Sequence, residues 1–335
     1  MFMSEEVAMK ACEFAANGGT SGGISFFGGE PLLRKELIYK MVEKCSDLGS
    51  FSFSMTTNGI CIDEDFISFA RKNRLRIALS HDGLAHDICR RFPDGRKSSD
   101  RLAKVLRLVN TMPDSVIMLT FAKETAHLLA VSVTWLFDNG ARSVIATPDS
   151  RPNAGWDDGD MDILREQYEL IAQDYSERLA RGERVRFPVF DMIITDRTRG
   201  ESRCNGCRIG YRQPIVFCDG SIYPCIQFTG IEKYKIGDVF SGFDEKKRLE
   251  IFEQSVQPVE SCVGCAVADR CRHACPCLNF QQTGSMNAVS PFTCTNQRML
   301  IECADKMAKK IYETAPSVFD RVFSDTSKND GMTSF

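Results

Sequence analysis

The chain has 335 residues, 15 cysteines and a formal charge of −3 at pH 7. This length predicts about two domains, and a pI near 5.9 argues against a general binder of nucleic acids or membrane surfaces. The sequence contains no run of about 18 apolar residues, so we predict no transmembrane helix. Its acidic start lacks the basic and apolar segments of a signal peptide. We therefore expect a cytoplasmic chain with reduced thiols, for which metal binding explains the cysteines better than disulfides do.

The first 150 residues alternate between amphipathic stretches and short apolar runs. The pattern predicts a first helix from Ser4 to Asn17, because Ser4 can cap it and glycines follow it. Five strands and four helices then alternate, with strands expected at 24–27, 51–56, 75–80, 116–121 and 143–147, and helices at 35–48, 63–73, 99–112 and 126–139. Repeats of about 30 residues indicate βα units that form a parallel sheet with helices outside it.

The order of these elements leaves two interpretations of the fold open. A right-handed βα barrel normally opens with a strand, whereas this chain opens with a helix. The chain is therefore either a barrel that lacks its first strand or an open parallel sheet that begins with a helix.

The second half of the chain has a different organisation. A long charged helix is expected at 160–181, a linker at 182–203 and a cysteine-rich module after it. Within the module, Ile215 to Tyr223 is typical of a β-hairpin, with Asp219-Gly220 as its two-residue turn. A terminal helix is expected at 296–313, with a frayed polar tail beyond it. The predicted division is 1–190, 191–313 and a tail at 314–335.

Ten of the cysteines lie between residues 204 and 294. They include the close group Cys262-x2-Cys265-x5-Cys271-x3-Cys275, and four others of interest are Cys204, Cys207, Cys225 and Cys294. Close thiolates on short loops are typical of a tetrahedral zinc or an iron–sulfur cluster. Zinc ribbons separate their cysteine pairs by about 15–20 residues, whereas 54 residues separate Cys207 from Cys262. Iron–sulfur clusters are therefore favoured, and a zinc-stabilised scaffold remains the alternative.

The cysteine order resembles the seven-cysteine SPASM pattern, a C-terminal extension of radical S-adenosylmethionine (radical SAM) enzymes. The matching run is Cys207-x12-Gly220-x4-Cys225, Cys262-x2-Cys265-x5-Cys271-x3-Cys275 and Cys294. The resemblance implies two auxiliary [4Fe-4S] clusters. It assigns the first to Cys207, Cys225 and Cys275, with Cys204 as fourth ligand, and the second to Cys262, Cys265, Cys271 and Cys294. Cys218 and Cys277 fall outside the pattern and are interpreted as packing thiols or thiols beside a ligand, with Cys277 as an alternative ligand.

Three strand ends resemble S-adenosylmethionine (SAM) binding segments of the same superfamily. The run Gly28-Gly29-Glu30-Pro31 resembles the GGEP motif, which contacts the amino group of SAM; its glycines permit close approach, and its carboxylate can hold an ammonium. The next two strands end at Thr57-Asn58 and at Ser80-x-Asp82, where ligands bind in parallel βα folds. The resemblance implies that Ser80 and Arg90 contact the ribose and carboxylate. The alternative is that these segments are only turns and that Arg90 pairs with Asp87.

The radical SAM signature Cys-x3-Cys-x2-Cys, which binds the catalytic cluster, does not occur in the 335 residues. In the family it precedes the helix that begins here at Ser4. The expected fold class is therefore α/β: a partial (β/α)6 radical SAM barrel without its first strand, followed by a SPASM domain with a β-hairpin. We expect an N-terminally truncated chain that is inactive as written. A third, catalytic [4Fe-4S] cluster is expected only if upstream sequence is restored.

The expected activity follows from a closer resemblance within this family. Sulfatase-maturating enzymes carry Asp after the cysteine that matches Cys225, whereas this chain has Ile226. The stretch 275–279, with Thr283-Gly284 and Ser290-Pro291, resembles maturases of ribosomally made, Cys-rich peptides. This implies thioether formation in a precursor peptide, with an electron donor such as flavodoxin or ferredoxin. A non-catalytic iron–sulfur module for electron transfer or peptide binding, and an anaerobic sulfatase-maturating enzyme, remain alternatives.

Overall fold

The computed structural model describes residues 1–18, 22–199, 207–271 and 275–324. A five-stranded parallel sheet with the order β1-β2-β3-β4-β5 forms the N-terminal part. Its strands are β1 Gly23–Phe26, β2 Ser52–Thr57, β3 Leu75–Ser80, β4 Val116–Phe121 and β5 Val144–Pro148. Neighbouring strands are consecutive in the chain, so each connection is a crossover to the adjacent strand. The expected α/β architecture is confirmed.

Helices connect and cover the strands of this sheet. They are α1 Glu5–Asn17, α2 Lys35–Leu48, α3 Glu64–Lys72, α4 His86–Cys89, α5 Ser99–Val109, α6 Leu129–Asp138, α7 Asp158–Ala180 and α8 Pro188–Arg199. Local caps set several of their ends. Ser4 Oγ accepts from the backbone N–H of Val7 at 3.2 Å, and Asp63 Oδ1 accepts from that of Phe66 at 2.8 Å. In the first 150 residues, every predicted helix and strand lies within three residues of the observed one.

The linker expected at 182–203 is wrong over 188–199, where α8 forms. Buried contacts with α7 explain this helix. Asp191 of α8 accepts from Tyr175 Oη of α7 at 2.7 Å, and the rings of Tyr175 and Phe187 pack with centroids 6.3 Å apart. The packing that stabilises α8 is therefore tertiary, which composition alone does not reveal.

The C-terminal part contains a second sheet, which has four antiparallel strands in the order β6-β7-β8-β9. Its strands are β6 Ile215–Val216, β7 Ser221–Tyr223, β8 Gly237–Asp238 and β9 Gly242–Phe243. The predicted hairpin is confirmed, but its turn is not the two-residue Asp-Gly. The backbone N–H of Phe217 donates to the carbonyl of Ser221 at 2.8 Å, which leaves a three-residue loop at 218–220. Gly220 ends this loop at φ +95°, the left-handed position of such loops.

The C-terminal part adds the helices α9 Glu245–Ser255, α10 Pro276–Thr283, α11 Pro291–Thr314 and α12 Pro316–Phe319. Helix α11 joins the core of the first sheet: Tyr168 Oη of α7 donates to Asn296 Oδ1 at 2.7 Å, and Met299 and Leu300 are buried in the same apolar cluster. A smaller apolar cluster lies beneath the second sheet and includes Cys277. None of the helices in the described ranges is long and apolar enough to span a membrane.

The frayed tail expected from residue 314 is wrong for residues 316–324. Helix α12 and a π-helical turn at Asp320–Ser324 cover this stretch, and they bury Val318 and Phe323 in the main apolar cluster. The remainder of the tail, from residue 325, lies outside the described residues. The domain boundaries at 190 and 313 stay predictions.

Candidate functional site

Glu30 joins the ends of two neighbouring strands. It follows β1, and its Oε1 accepts from the backbone N–H of Leu32 at 3.1 Å and from the hydroxyl of Thr57 at 2.7 Å. Its Oε2 accepts from the backbone N–H of Asn58 at 2.7 Å. Three of the predicted site residues, Glu30, Thr57 and Asn58, therefore meet at the carboxyl end of β2. A carboxylate offers about four lone-pair sites, so one acceptor position remains for a ligand.

The glycines before Glu30 leave the space above β1 open. Gly28 has φ +147°, and a Cβ added to Gly28 or Gly29 would meet no atom within 4 Å. Pro31 starts the 3-10 turn Pro31–Arg34, where its fixed φ suits the first helical position. The segment 28–31 is thus a turn with an accessible backbone, which suits close approach of a ligand.

Asp82 pairs with Arg90 at the end of β3. Asp82 Oδ2 accepts from Arg90 Nε at 2.6 Å, and Oδ1 accepts from Arg90 Nη2 at 3.3 Å and from the backbone N–H of Thr120 at 3.0 Å. The alternative pairing of Arg90 with Asp87 is wrong. Asp87 Oδ1 instead accepts from the backbone N–H groups of Ser98 and Ser99 at the start of α5, each at 3.1 Å.

Two buried histidines, which sequence reasoning missed, shape the turn after β3. The backbone N–H of Asp82 donates to His86 Nδ1 at 3.2 Å, and that of Gly83 donates to His81 Nδ1 at 3.0 Å. Burial lowers the pKa of His81 to about 3, and the neighbouring His86 and Arg90 act in the same direction. Each ring therefore accepts through Nδ1 as a neutral imidazole, and together the two rings hold the Asp82-Gly83 turn in place. Ser80, the last residue of β3, is half-buried beside this turn.

The first cysteine group brings together three of its predicted ligands, Cys207, Cys225 and Cys275, and the alternative ligand Cys277. The fully buried thiol of Cys277 lies within hydrogen-bond reach of both Cys275 and Cys225; this contact lowers the pKa of Cys275 to about 6 and also lowers that of Cys225. Burial, with the nearby Cys275 and Cys225, raises the pKa of Cys207 to about 11. The predicted ligand Cys204 lies outside the described residues. Cys277 lies only two residues after Cys275, which indicates that the two thiols are close, but the SPASM-like spacing pattern does not include Cys277.

The second cysteine group lies around Arg298, another residue that sequence reasoning missed. Arg298 Nη2 donates to Cys265 Sγ at 3.2 Å. A hydrogen bond with Cys294, together with the nearby Cys265 and Cys271, raises the pKa of Arg298. Burial raises the pKa of Cys262, with Cys294 and Cys265 adding to the rise and Arg298 opposing it. All four predicted ligands of the second cluster thus lie within electrostatic reach of one guanidinium.

The donor chemistry of both groups fits an iron–sulfur cluster. In the described ranges, no three His, Cys, Asp or Glu side chains converge as ligands of a single metal ion. Both groups offer thiols alone, which is the donor set that iron–sulfur clusters take from proteins. Cys225 and Cys275 would hold the first cluster together with Cys207. The second would be held at the start of α11 by the group around Arg298.

Comparison with protein families identifies the class of the N-terminal part. The family model for the Radical SAM superfamily matches residues 1–136. The matched residues hold β1 to β4 and the Glu30 and Asp82 sites. The predicted resemblance is confirmed at this level.

Solved structures extend the likeness over nearly the whole chain. The structure described as native anSMEcpe with bound AdoMet is 20% identical, has a TM-score of 0.80, and is matched over 93% of this chain and 91% of that chain. Streptococcus suis SuiB bound to S-adenosylmethionine is 19% identical with a TM-score of 0.60, over 88% of this chain and 70% of that chain. These likenesses show the fold over about nine-tenths of the chain.

Two curated relatives are similar in sequence. A cysteine-type anaerobic sulfatase-maturating enzyme of Clostridium perfringens is 23% identical over 294 residues, or 79% of this chain and 74% of that protein. An uncharacterised protein of Archaeoglobus fulgidus is 24% identical over 300 residues, or 85% of this chain and 70% of that protein.

Proposed function

We propose that the chain is a radical SAM maturase of a peptide substrate, with SAM at the carboxyl edge of the parallel sheet and two auxiliary clusters in the C-terminal part. The observation that carries this proposal is the pair of opposite charges at two adjacent strand ends. Glu30 follows β1 and contacts Thr57 at the end of β2 with one acceptor position left, and Arg90 contacts Asp82 at the end of β3. An amino-acid group needs such a pair for its ammonium and its carboxylate.

The contacts of Arg90 support its role toward the carboxylate of SAM. Asp82 holds Nε and Nη2, so the guanidinium plane is fixed before a ligand arrives. The Arg90 side chain is 35% exposed and reaches past the buried Asp82. In this proposal Asp82 orients Arg90, Ser80 meets the ribose, and Gly28, Gly29, Pro31, Thr57 and Asn58 shape the wall of the site. Bound AdoMet in the anSMEcpe and SuiB structures supports the same ligand here.

The proposed cluster ligands are the eight cysteines of the SPASM-like pattern. The first cluster would take Cys204, Cys207, Cys225 and Cys275, and the second Cys262, Cys265, Cys271 and Cys294. The described members of each set lie close enough to shift the pKa values of their neighbours, and this proximity supports both sets. A flavodoxin or ferredoxin would supply the electrons.

The proposed substrate is a Cys-rich precursor peptide that receives a thioether cross-link. Relatives support a peptide: anSMEcpe was solved with a Kp18Cys peptide and SuiB with the precursor peptide SuiA. SAM supplies a 5′-deoxyadenosyl radical when an iron–sulfur cluster reduces it, and that cluster needs the Cys-x3-Cys-x2-Cys signature. Because the 335 residues hold no such run, we propose that this chain binds SAM without cleaving it.

Metal analysis after anaerobic reconstitution tests the clusters. We expect about eight irons and eight sulfides per chain and no stoichiometric zinc. Replacement of both Cys262 and Cys265 by Ala should remove about four irons. The control Cys89→Ala changes an exposed cysteine outside the pattern and should leave the iron content unchanged. Zinc in place of iron, or the same iron content in the double variant, would overturn this part of the proposal.

Two further assays test the SAM part. Calorimetry should show SAM binding to the reconstituted chain, and a chain that takes iron but no SAM would fit the alternative of a non-catalytic iron–sulfur module. Chromatography should detect no 5′-deoxyadenosine after addition of dithionite. Formation of 5′-deoxyadenosine by this chain would show that the proposed inactivity is wrong.

A sulfatase-maturating activity is the second candidate, because the Clostridium perfringens relative carries that name. Against it, the residue after Cys225 is Ile226, which offers no group for proton transfer. A form of the chain fused to a signature-bearing segment separates the two by mass spectrometry. A thioether link removes two hydrogens from a Cys-rich peptide, whereas sulfatase maturation replaces a Cys thiol by an aldehyde. Only the first product is expected.

A further inference from the structure

A guanidinium lies beside the second cysteine group, and the function proposed above does not use it. Arg298 lies four residues after Cys294 on α11, so both side chains lie on the same helix face. Its Nη2 donates to Cys265 Sγ at 3.2 Å. One side chain of α11 thus connects a cysteine of the helix with a cysteine of the loop at 262–265.

Arg298 differs in its partners from other arginines of the C-terminal part. Arg270 pairs with Asp305 at 2.6 Å and Arg248 with Glu245 at 2.9 Å. Among the residues that the structure describes, by contrast, no carboxylate lies within ion-pair distance of Arg298, and thiols are its polar neighbours. No carboxylate of a described residue therefore neutralises the positive charge of Arg298. The side chain is exposed.

We propose that Arg298 sets the reduction potential of the second auxiliary cluster. The inference rests on the proposed ligation of that cluster by the cysteines around it. A cluster that gains an electron gains a negative charge, and a cation beside its ligand sulfurs stabilises that state. Hydrogen bonds to sulfur and net charge are the levers by which proteins set such potentials. Arg298 is a positioning residue, since it acts through Cys265 and Cys294 and not on the substrate.

The test compares Arg298→Gln with Arg298→Lys in the full, anaerobically reconstituted chain. Redox titration monitored by electron paramagnetic resonance gives the potential, and the signal of the second cluster is the one lost when Cys262 and Cys265 are both replaced by Ala. We expect Arg298→Gln to lower the reduced-to-oxidised ratio of that cluster about three- to tenfold at a fixed potential. Arg298→Lys, which keeps the charge, should stay near the wild-type ratio.

Lys310→Gln is the matched control. It removes one positive charge from an exposed position of the same helix, about 18 Å along the axis from Arg298. Its effect on the ratio should be below twofold, because exposed charges beyond a Debye length of about 8–10 Å are screened. If Lys310→Gln shifted the potential as much as Arg298→Gln does, a local role of Arg298 would be contradicted.

Each remaining outcome decides the proposal. An unchanged potential in Arg298→Gln, with full iron, would overturn the role of Arg298 and leave the proposed clusters standing. Loss of the second cluster in both Arg298→Gln and Arg298→Lys would also overturn it, since it would assign Arg298 to cluster assembly. An iron content that does not change when Cys262 and Cys265 are replaced would instead refute the proposed ligands.

Discussion

Asp82 and Arg90 form a paired contact at the end of β3 in which one partner is buried and the other reaches solvent. The two hydrogen bonds measure 2.6 and 3.3 Å, and the side chains are 1% exposed for Asp82 and 35% exposed for Arg90. The backbone N–H of Thr120 on β4 bonds to the same carboxylate at 3.0 Å. The pair therefore ties two strand ends together and fixes the direction of the guanidinium.

This asymmetry predicts unequal effects of removing either partner. Arg90→Gln leaves a buried carboxylate without its cation and should lower the free energy of unfolding by about 3–5 kcal/mol. Asp82→Asn keeps an acceptor for Thr120 and leaves the arginine free to reach water, so it should cost about 1–2 kcal/mol. Urea unfolding of both variants measures the difference.

The control for this pair is an exposed one. Arg96 and Asp94 lie 2.7 Å apart with both side chains more than half exposed. Arg96→Gln should therefore change the free energy of unfolding by less than about 1 kcal/mol. An Arg90→Gln variant as stable as Arg96→Gln would contradict the predicted role of the buried pair.

Glu30→Gln should weaken the binding of SAM about 10- to 100-fold, because the amide carries no charge to attract the ammonium. Calorimetry with the reconstituted chain measures the effect. The matched control ligand is 5′-methylthioadenosine, which lacks the amino-acid group and should bind both forms alike. The matched control variant is Glu36→Gln, an exposed position in the first turn of α2. Equal loss for both ligands would mean that Glu30 shapes the turn without meeting the ammonium.

Local signals in the sequence were sufficient for the first half of the fold. Helix α2 has the predicted bounds, Lys35–Leu48, because Gly49 follows it and its N–H closes the last turn on the Cys45 carbonyl at 3.1 Å. Helix α1 begins where Ser4 caps it. Such capping residues lie within a few residues of the helix end that they define, so they can be recognised in the sequence without knowledge of the fold.

Contacts between distant segments could not be predicted in this way. Asp87 is closer to Arg90 in sequence than Asp82 is. However, Asp87 accepts hydrogen bonds from the start of α5, and Arg90 pairs with Asp82 instead. Cys277 meets Cys225 only because α10 packs beside the second sheet. The spacing pattern records which cysteines resemble ligands, and it carries no information on the thiols that pack against them.

Cys277→Ala should lower the iron content by up to about four per chain, because this buried thiol connects Cys225 and Cys275. Cys277→Ser keeps a donor and should retain more iron than Cys277→Ala. Cys218→Ala is the control: its thiol lies 3.8 Å from the carbonyl of Met1, in the hairpin loop, and its loss should leave the iron unchanged. Full iron and an unchanged absorption spectrum in Cys277→Ala would mean that this thiol only fills space.

The buried His81 should make the chain less stable in acid. Its pKa lies near 3 in the fold, mainly because burial disfavours the charged ring, and near 6.5 in the unfolded chain. The unfolded state therefore takes up a proton first, and the stabilising contribution present above pH 6.5 is lost as the pH falls toward 3. The free energy of unfolding should fall by up to about 1.4 kcal/mol per pH unit in this window through His81 alone.

His81→Gln separates this contribution from that of other groups. Glutamine can still accept from the backbone N–H of Gly83 but does not titrate, so the free energy of unfolding should change less steeply below pH 6.5 than in the wild type. His127→Gln is the matched control, because His127 is exposed. Urea unfolding between pH 5 and 7.5 gives the slopes. Parallel slopes for His81→Gln and the wild type would show that the ring accepts its proton in the folded chain, which a ring buried against Trp135 and His86 should resist.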